Sequence, residues 1–565
     1  MSTLPDSTQP DKQPDKQPDK QPDKQPGNES PDHERTYMRW DGWGDPARAH
    51  GLPNGVKLLL AAVLGRLPKA PSAPRLAEVT ISTPPLADDD LAALAKAVGD
   101  DHVDAGHDVR LLHAGGKSTP DLLRRRQAVQ AAPGAVVQPA TEDEVAAVLA
   151  VAGERGLAVV PFGGGTAVTG GLTPDAGPHR GVVSLDLHRL SGLVALDELA
   201  HEATFLAGTT APVAETLLAE RGFELGHFPQ SFEFATLGGF AAMRSSGQNS
   251  AGYGRFDTMV TGLRVVTPTG TLDLGRAPGS AAGPDLTRWF LGSEGTFGVI
   301  TQVRLAVHPT PEARLFDAWT FGSFAAGTDA LRGVAQLGTG PTVIRLSDED
   351  ETAVSLAQVG NIGRALAKGC TAVVLHEGPA ELAAGRREAT ARVLRAAGGE
   401  LADPRLAASW DHGRFKAPYL RDALLAHGVF CETLETATTW SNLHTLKAAV
   451  TAALADGFAG ERARNRILCH ISHVYPTGAS LYFTVIAGLG TEPLEPWDRV
   501  KSRVNDAIMA ARGTISHHHG IGADHAPWLE HEIGSAGLRM LRAVQAELDP
   551  AGIMNPGALV DRRLR

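Results

Sequence analysis

Between Gly134 and Thr166 the spacing of hydrophobic positions changes three times. Ala135-Val136-Val137 is an unbroken apolar run, which predicts a short buried strand. Val145, Val148, Leu149 and Ala152 then fall on one face of a 3.6-residue repeat, which predicts a helix. Thr141 stands ahead of that helix with Glu144 three residues later, the pattern of a capping box, and Gly156 marks its end. Leu157-Ala158-Val159-Val160 reads as a second buried strand and runs directly into Pro161-Phe162-Gly163-Gly164-Gly165-Thr166. Strand, helix, strand and glycine loop in succession open an α/β arrangement.

From Gly262 to Pro309 the pattern shifts to short strands with turns: Leu263–Val266, Thr271–Leu274 and Ile300–Leu305. Pro309 and Pro311 then punctuate the chain, and a domain boundary is placed there. Residues 312–512 mix strands with long Ala-rich helices, one of them containing Glu381 to Ala397. Leu548 to Leu559 carries Leu-Asp-Pro and Asn-Pro-Gly turns. At the other end, Pro10 to Pro26 repeats Pro-Asp-Lys-Gln, which has nothing to bury and reads as a disordered tail. The expected organisation is a tail over 1–36, an N-terminal helical region over 37–130, one domain over 131–311, a second over 312–512, and a closing segment over 513–565 that returns to the first.

The length of 565 residues suits two or three hydrophobic cores. A net charge of −11 disfavours a nucleic-acid surface, so no nucleic-acid partner is expected. Three widely spaced cysteines, Cys370, Cys431 and Cys469, argue against a disulfide framework or a thiolate zinc site. The apolar run Val56 to Gly65 is too short to span a bilayer and reads as a short helix. The N-terminus lacks the basic start and apolar run of a signal peptide, so a cytoplasmic protein is expected.

Four segments carry candidate chemistry. Gly163, Gly164, Gly165, Gly170 and Gly171 permit close backbone approach, and successive exposed N–H groups can form an anion nest for a pyrophosphate. Their spacing is that of neither a Rossmann fingerprint nor a Walker loop. Gly226 to Gly254 is rich in small and hydroxyl residues and almost uncharged, as suits main chain laid against a flat polar ligand; its interleaved Phe, Leu and Met residues speak against a disordered linker. Trp289 to Ile300 is a turn feeding a strand, able to place main-chain groups on a ring edge. Gly513 to Gly522 contains Ser516-His517-His518-His519-Gly520. If it is extended, His517 and His519 share a face and His518 points the other way. A metal would need a third ligand, so none is assigned, and an imidazole cluster for proton transfer and anion stabilisation is preferred.

In this order, Pro-Phe-Gly-Gly-Gly-Thr, Gly-Ser-Glu-Gly-Thr-Phe-Gly-Val-Ile and Leu-Asp-Pro-Ala-Gly-Ile-Met-Asn-Pro-Gly resemble the FAD-binding flavoproteins of the vanillyl-alcohol-oxidase type, from about Ala135 to the C-terminus. The fold implied is α+β: a PCMH-type FAD-binding domain of two subdomains with an inserted α+β cap, or substrate, domain. Within that group, Arg39-Trp40-Asp41-Gly42-Trp43-Gly44 and Ser516-His517-His518-His519-Gly520 resemble the alkyldihydroxyacetonephosphate synthase family of ether-lipid enzymes. Relatives that oxidise D-2-hydroxy acids usually carry Glu-His-Gly in place of His518-His519-Gly520.

The resemblance implies non-covalent FAD, held by Pro161, Phe162, Gly163, Gly164, Gly165, Thr166 and Ala167; by Gln230, Ser231, Phe232, Glu233, Phe234, Ala235 and Thr236; by Met243, Arg244, Ser245 and Ser246; and by Glu294, Gly295, Thr296, Phe297, Gly298, Val299 and Ile300. Ser472 to Phe483 matches the segment holding the family's proton-transferring tyrosine, which falls on Tyr482. Tyr419-Leu420-Arg421-Asp422 and Val343-Ile344-Arg345-Leu346 match segments with substrate-binding arginines, and an arginine fork suits a phosphate or carboxylate. The implied reaction exchanges the acyl group of acyl-dihydroxyacetone phosphate for a long-chain alcohol without net redox, with Tyr482, His517, His518 and His519 catalytic. The implied partner is a small lipid substrate, and peripheral membrane contact and a homodimer are compatible with it. The alternative is an FAD-dependent oxidase or dehydrogenase of a D-2-hydroxy acid. The C-terminal Arg562-Arg563-Leu564-Arg565 is not a peroxisomal address.

Overall fold

The computed structural model describes residues 36–49, 51–52, 54–65, 72–358, 369–458, 464–490 and 493–560; the Pro-Asp-Lys-Gln repeat lies outside them. The helix read from Val145, Val148, Leu149 and Ala152 runs over Glu142–Arg155 and buries all four. Thr141 caps it, accepting from the Glu144 amide at 3.1 Å, and Gly156 closes it in the left-handed conformation. The reciprocal arm falls one residue early, because the Glu144 carboxylate accepts from the Ala140 amide at 2.7 Å rather than from Thr141.

That helix covers a four-stranded sheet ordered Val103–Asp104, Ala135–Val137, Gly181–Asp186, Leu157–Phe162. Its last three strands are parallel, and their Ala, Val and Leu side chains are buried throughout, as expected for a sheet covered on both faces. A five-stranded antiparallel sheet follows, ordered Gly270–Leu274, Val260–Thr267, Val299–Ala306, Glu202–Leu206, Leu193–Asp197. The central strand Val299–Ala306 alternates strictly from Val303 on, with Val303 and Leu305 inside.

The chain then enters a seven-stranded antiparallel sheet: Glu400–Ala402, Ala313–Phe321, Cys370–Gly378, Val343–Ser347, Asn465–Ile471, Gly478–Gly488, Val429–Thr439. The helices Phe324–Leu337, Ala380–Ala396, Leu443–Gly457 and Leu494–Ala510 pack on it around Trp319, Phe430, Phe458, Phe483 and Trp497. After Ala510 the chain goes back. Leu529, Leu538, Leu541, Val544 and Leu548 pack into the core of the five-stranded sheet, and Ile553 and Met554 into that of the four-stranded one. The amide of Val159 donates to the Ile553 carbonyl, and the amide of Asn555 to the Val159 carbonyl. The outer two parts of the chain therefore share cores, and the seven-stranded unit is an insertion between them.

The N-terminal part is bound to this insertion through a strap. Trp43 donates its amide to the Asp422 carboxylate at 2.5 Å, and Lys117 donates to the carbonyls of Arg39 and Gly42. Gly44 has φ +68, and a Cβ there would overlap the Tyr419 hydroxyl, so the turn under the helix Ala417–Ala426 accepts only glycine.

Candidate active site

The glycine loop leaves the end of strand Leu157–Phe162 and lies flush against the turn at Phe234 to Thr236. A Cβ at Gly164 would overlap the Phe234 carbonyl, and one at Gly163 would overlap the Thr236 hydroxyl. The loop forms one wall of a cavity of about 470 Å³. Pro161 to Ala167, Gln230, Ser231, Ala235, Thr236, Met243, Ser245, Ser246, Glu294, Gly295, Gly298 and Ile300 all line it. Gln230 points a buried amide oxygen with no partner among the described residues. Main chain, small side chains and unspent polar atoms around a long slot fit FAD, with its pyrophosphate at the glycine loop.

Seven expected cofactor contacts lie off the cavity wall. Phe232 stacks on Phe415 at 5.1 Å, Phe234 packs edge-on against Trp43 at 5.9 Å, and Glu233 accepts from the Tyr419 hydroxyl at 3.0 Å. Thr296 donates to the Ser293 carbonyl, while Phe297 and Val299 belong to the two sheet cores. Arg244 pairs with Asp257 at 2.7 Å. The physical reason is packing: within each segment some side chains turn away to anchor the loop from behind.

The histidine run is not extended. The amides of His517, His518 and His519 all donate to the Glu435 carboxylate, at 2.7 to 2.9 Å, and Ser516 adds its hydroxyl at 2.8 Å. Three successive amides converging on one carboxylate bend the backbone into a nest. His518 and His519 then line the cavity together, and His517 sits behind them, so the alternating-face arrangement is corrected. Burial alone would raise the Glu435 pKa; the neighbouring imidazoles and amide hydrogen bonds outweigh it and keep the group ionised. Burial pushes the pKa of His517 and His518 down and that of His519 to about 3, so the rings are neutral.

Two further imidazoles join this group. His473 stacks on His517 at 4.9 Å and bonds through Nδ1 to the hydroxyls of Ser246 and Ser250. One ring nitrogen each of His473, His517 and His518 lie within 4.8 Å of one another. His470 stacks on Tyr482 at 4.8 Å. Tyr482 lines the cavity, with His518 and His519 at 6.1 and 5.7 Å between ring centroids. Burial raises its pKa, so the phenol keeps its proton at neutral pH.

Both expected arginines line the cavity, and both are already engaged. Arg345 pairs with Glu351 and meets His470 at 2.9 Å. Arg421 forks onto Asp422 at 2.8 and 3.0 Å and donates to the Lys117 carbonyl. Lys117 and Trp43 also line the cavity; Lys117 is buried beside Arg125 and Arg421, and burial drives its pKa well down. Sequence reasoning missed Trp43, Lys117, Glu351, Glu432, Glu435, His470 and His473. Trp43 stands inside a motif already singled out, and His473 opens the segment that contains Tyr482; the others had no local signal.

The glycine wall and the carboxylate nest each give a test. The loop offers Thr166 and Ala167 where a covalent flavin link would need a histidine, so acid precipitation should release all yellow colour from the parent protein. Gly164→Ala should emerge from purification colourless, and a variant with parental flavin content would refute the close approach. Glu435→Gln should lose about 1.5–3 kcal/mol of stability for a charged hydrogen bond, read as a lower unfolding midpoint, with retained FAD and turnover at least tenfold down. An unchanged midpoint and rate would remove Glu435 from the organisation of the loop.

The models of two protein families match the chain: the FAD binding domain over residues 133–274 and the C-terminal domain of FAD linked oxidases over 310–559. The alkyldihydroxyacetonephosphate synthase of Trypanosoma brucei brucei is 31% identical over 93% of this chain and 92% of its own length. That of Dictyostelium discoideum is 33% identical over 80% and 77%. A solved alkyldihydroxyacetonephosphate synthase structure superposes with a TM-score of 0.78 at 27% identity, covering 92% of this chain and 99% of that one. p-Cresol methylhydroxylase, at a TM-score of 0.65 and 17% identity, shares the fold. With its cradle, its inserted substrate domain and this likeness across nearly its whole length, the chain belongs to the alkyldihydroxyacetonephosphate synthase family of FAD-dependent enzymes.

Proposed function

We propose that the enzyme exchanges the acyl group of acyl-dihydroxyacetone phosphate for a long-chain alcohol, releasing a fatty acid. The observation that carries this reading is that Tyr482, His518 and His519 line the same cavity as Arg345 and Arg421, in a chain of this family. Bound FAD supplies an electron sink for the reacting carbon, and the protein supplies position and charge.

Arg345 and Arg421 hold the substrate phosphate, exchanging part of their bonds to Glu351 and Asp422 for it. Lys117 adds a third nitrogen donor near Arg421. The phenol of Tyr482 carries the proton at the carbon bearing the ester. Its raised pKa makes it a donor at rest, so it acts as a base only through a neighbour that can relay charge, and His518 and His519 are the neighbours in place. Val354, Leu420, Leu424, Leu468 and Ile486 give the same cavity an apolar side for the acyl and alkyl chains. The reading includes a cytoplasmic enzyme that meets these lipids at a membrane surface. Cys431 lines the cavity as a plain thiol, since burial pushes its pKa up to about 12.

Tyr482→Phe should retain FAD and lose about 10²–10⁴-fold in turnover, the ordinary contribution of a general acid–base group, measured as fatty acid release. Near-parental release would take the proton role away from Tyr482. For the reaction itself, the purified enzyme given acyl-dihydroxyacetone phosphate and a fatty alcohol should yield fatty acid and ether product by mass spectrometry, with no electron acceptor added. Anaerobic D-lactate or D-2-hydroxyglutarate should leave its flavin yellow. Rapid bleaching by either acid, with no fatty acid released from the lipid pair, would replace this reading by hydroxy-acid oxidation.

A further inference from the structure

We propose that Tyr475, with His517 and His518, forms a proton relay from the cavity to solvent; the proposal rests on the exchange reaction above. His518 stands on the cavity wall. Its Nδ1 lies 3.0 Å from Nδ1 of His517, which sits behind the wall. Nε2 of His517 lies 2.6 Å from the Tyr475 hydroxyl. Tyr475 is half-buried at the base of the hairpin that joins Asn465–Ile471 to Gly478–Gly488, and the next two residues, Pro476 and Thr477, are exposed. The three groups thus form an unbroken line of hydrogen bonds from the inner wall to the half-buried Tyr475, next to the exposed turn.

The line is held rigid at each member. Glu435 fixes the backbone of both histidines. His517 is clamped by the stacked His473 ring and by Arg255, which donates to its carbonyl at 2.7 Å. Tyr475 is fixed by its amide, which donates to the Gly478 carbonyl, and by the Trp440 indole, which donates to its own carbonyl at 2.9 Å. Burial raises the pKa of Tyr475 and keeps its hydroxyl protonated, although the Arg255 guanidinium beside it pulls the other way.

Protons balance along the line. A proton arriving at Nε2 of His518 releases the Nδ1 proton to Nδ1 of His517. His517 passes its Nε2 proton to the Tyr475 oxygen, and Tyr475 passes its hydroxyl proton to water. One proton enters, one leaves, and no electron moves. The reverse sequence returns a proton to the reacting carbon. The exit matters because Tyr482 starts out protonated and can take up a proton only as it gives one away. Tyr475 touches neither substrate nor cofactor, so it acts through His517 and is a positioning and relay residue.

The test runs the FAD-loaded, full-length enzyme with both lipid substrates in D2O. The parent enzyme should place deuterium on the carbon beside the new ether oxygen, because the returning proton comes from solvent. Tyr475→Phe should keep its flavin spectrum and its KM for both lipids, lower kcat about tenfold or more, and make product that retains mostly the original hydrogen. His517→Gln breaks the same line one step earlier and should show the same isotope retention, and the double variant should be no slower than the slower single one. A Tyr475→Phe enzyme with parental kcat and parental deuterium content overturns the relay, as does a slow variant whose product is still fully deuterated. If the parent releases no fatty acid, the exchange reaction itself falls and the relay falls with it.

Discussion

A single buried carboxylate sets the geometry of the reacting wall. Glu435 collects three successive amides and one hydroxyl from Ser516 to His519, and without that convergence the three imidazoles would alternate along an extended strand. A carboxylate with four donors is cheap to bury in its charged form, whereas four donors without it are costly to bury. The loop and the strand Val429–Thr439 therefore stabilise each other. Their joint product is a functional division: His518 and His519 face the cavity, and His517 faces away.

A second carboxylate does the equivalent on the cofactor side. Glu294 accepts from the amides of Ile521 and Gly522 at 2.6 and 2.8 Å, two residues beyond the histidines. Burial pushes its pKa up to about 7, against the pull of those amides. Asn555 ties the carbonyls of Gly171 and Glu294 from the far end of the chain. The returning C-terminal segment is thus the piece that registers the inserted domain against the flavin cradle. That explains why an insertion of some two hundred residues can contribute Tyr482, Arg345 and Arg421 to a wall whose opposite side is formed before it and after it in sequence.

The cradle was legible in the sequence because its chemistry needs backbone rather than side chains. Glycines at 163–165 and small residues at 235–236 are visible as such, and close approach is what their absence of bulk permits. Phe232, Phe234, Phe297 and Val299 were read as contacts because a motif does not show which side of the chain faces the ligand; their side chains go into packing instead. The histidine run was legible as a string of titratable groups, but its bend depends on a carboxylate eighty-two residues from His517, and nothing local announces it. The same holds for the strap, where Lys117 holds the carbonyl of Gly42 across a gap of 75 residues. Motif composition survives in one dimension; the partner that aims each group belongs to the fold.

Charge in the chamber is balanced before any substrate enters. Arg345 has Glu351, Arg421 has Asp422, and the imidazoles are held neutral. Under the proposed exchange an incoming phosphate would compete with these resident carboxylates, while the pairs avoid burying bare guanidinium groups. Such a chamber also tolerates little transient charge, because burial disfavours the ionised form of Tyr482 and of each histidine alike. Proton movement there is consequently cheapest when it is concerted, with one proton arriving as another leaves. An exchange without net redox has that requirement at every cycle, since the carbon that loses a proton must regain one. Neutral imidazoles in hydrogen-bonded line with a half-buried phenol meet it without storing a charge on the relay groups themselves.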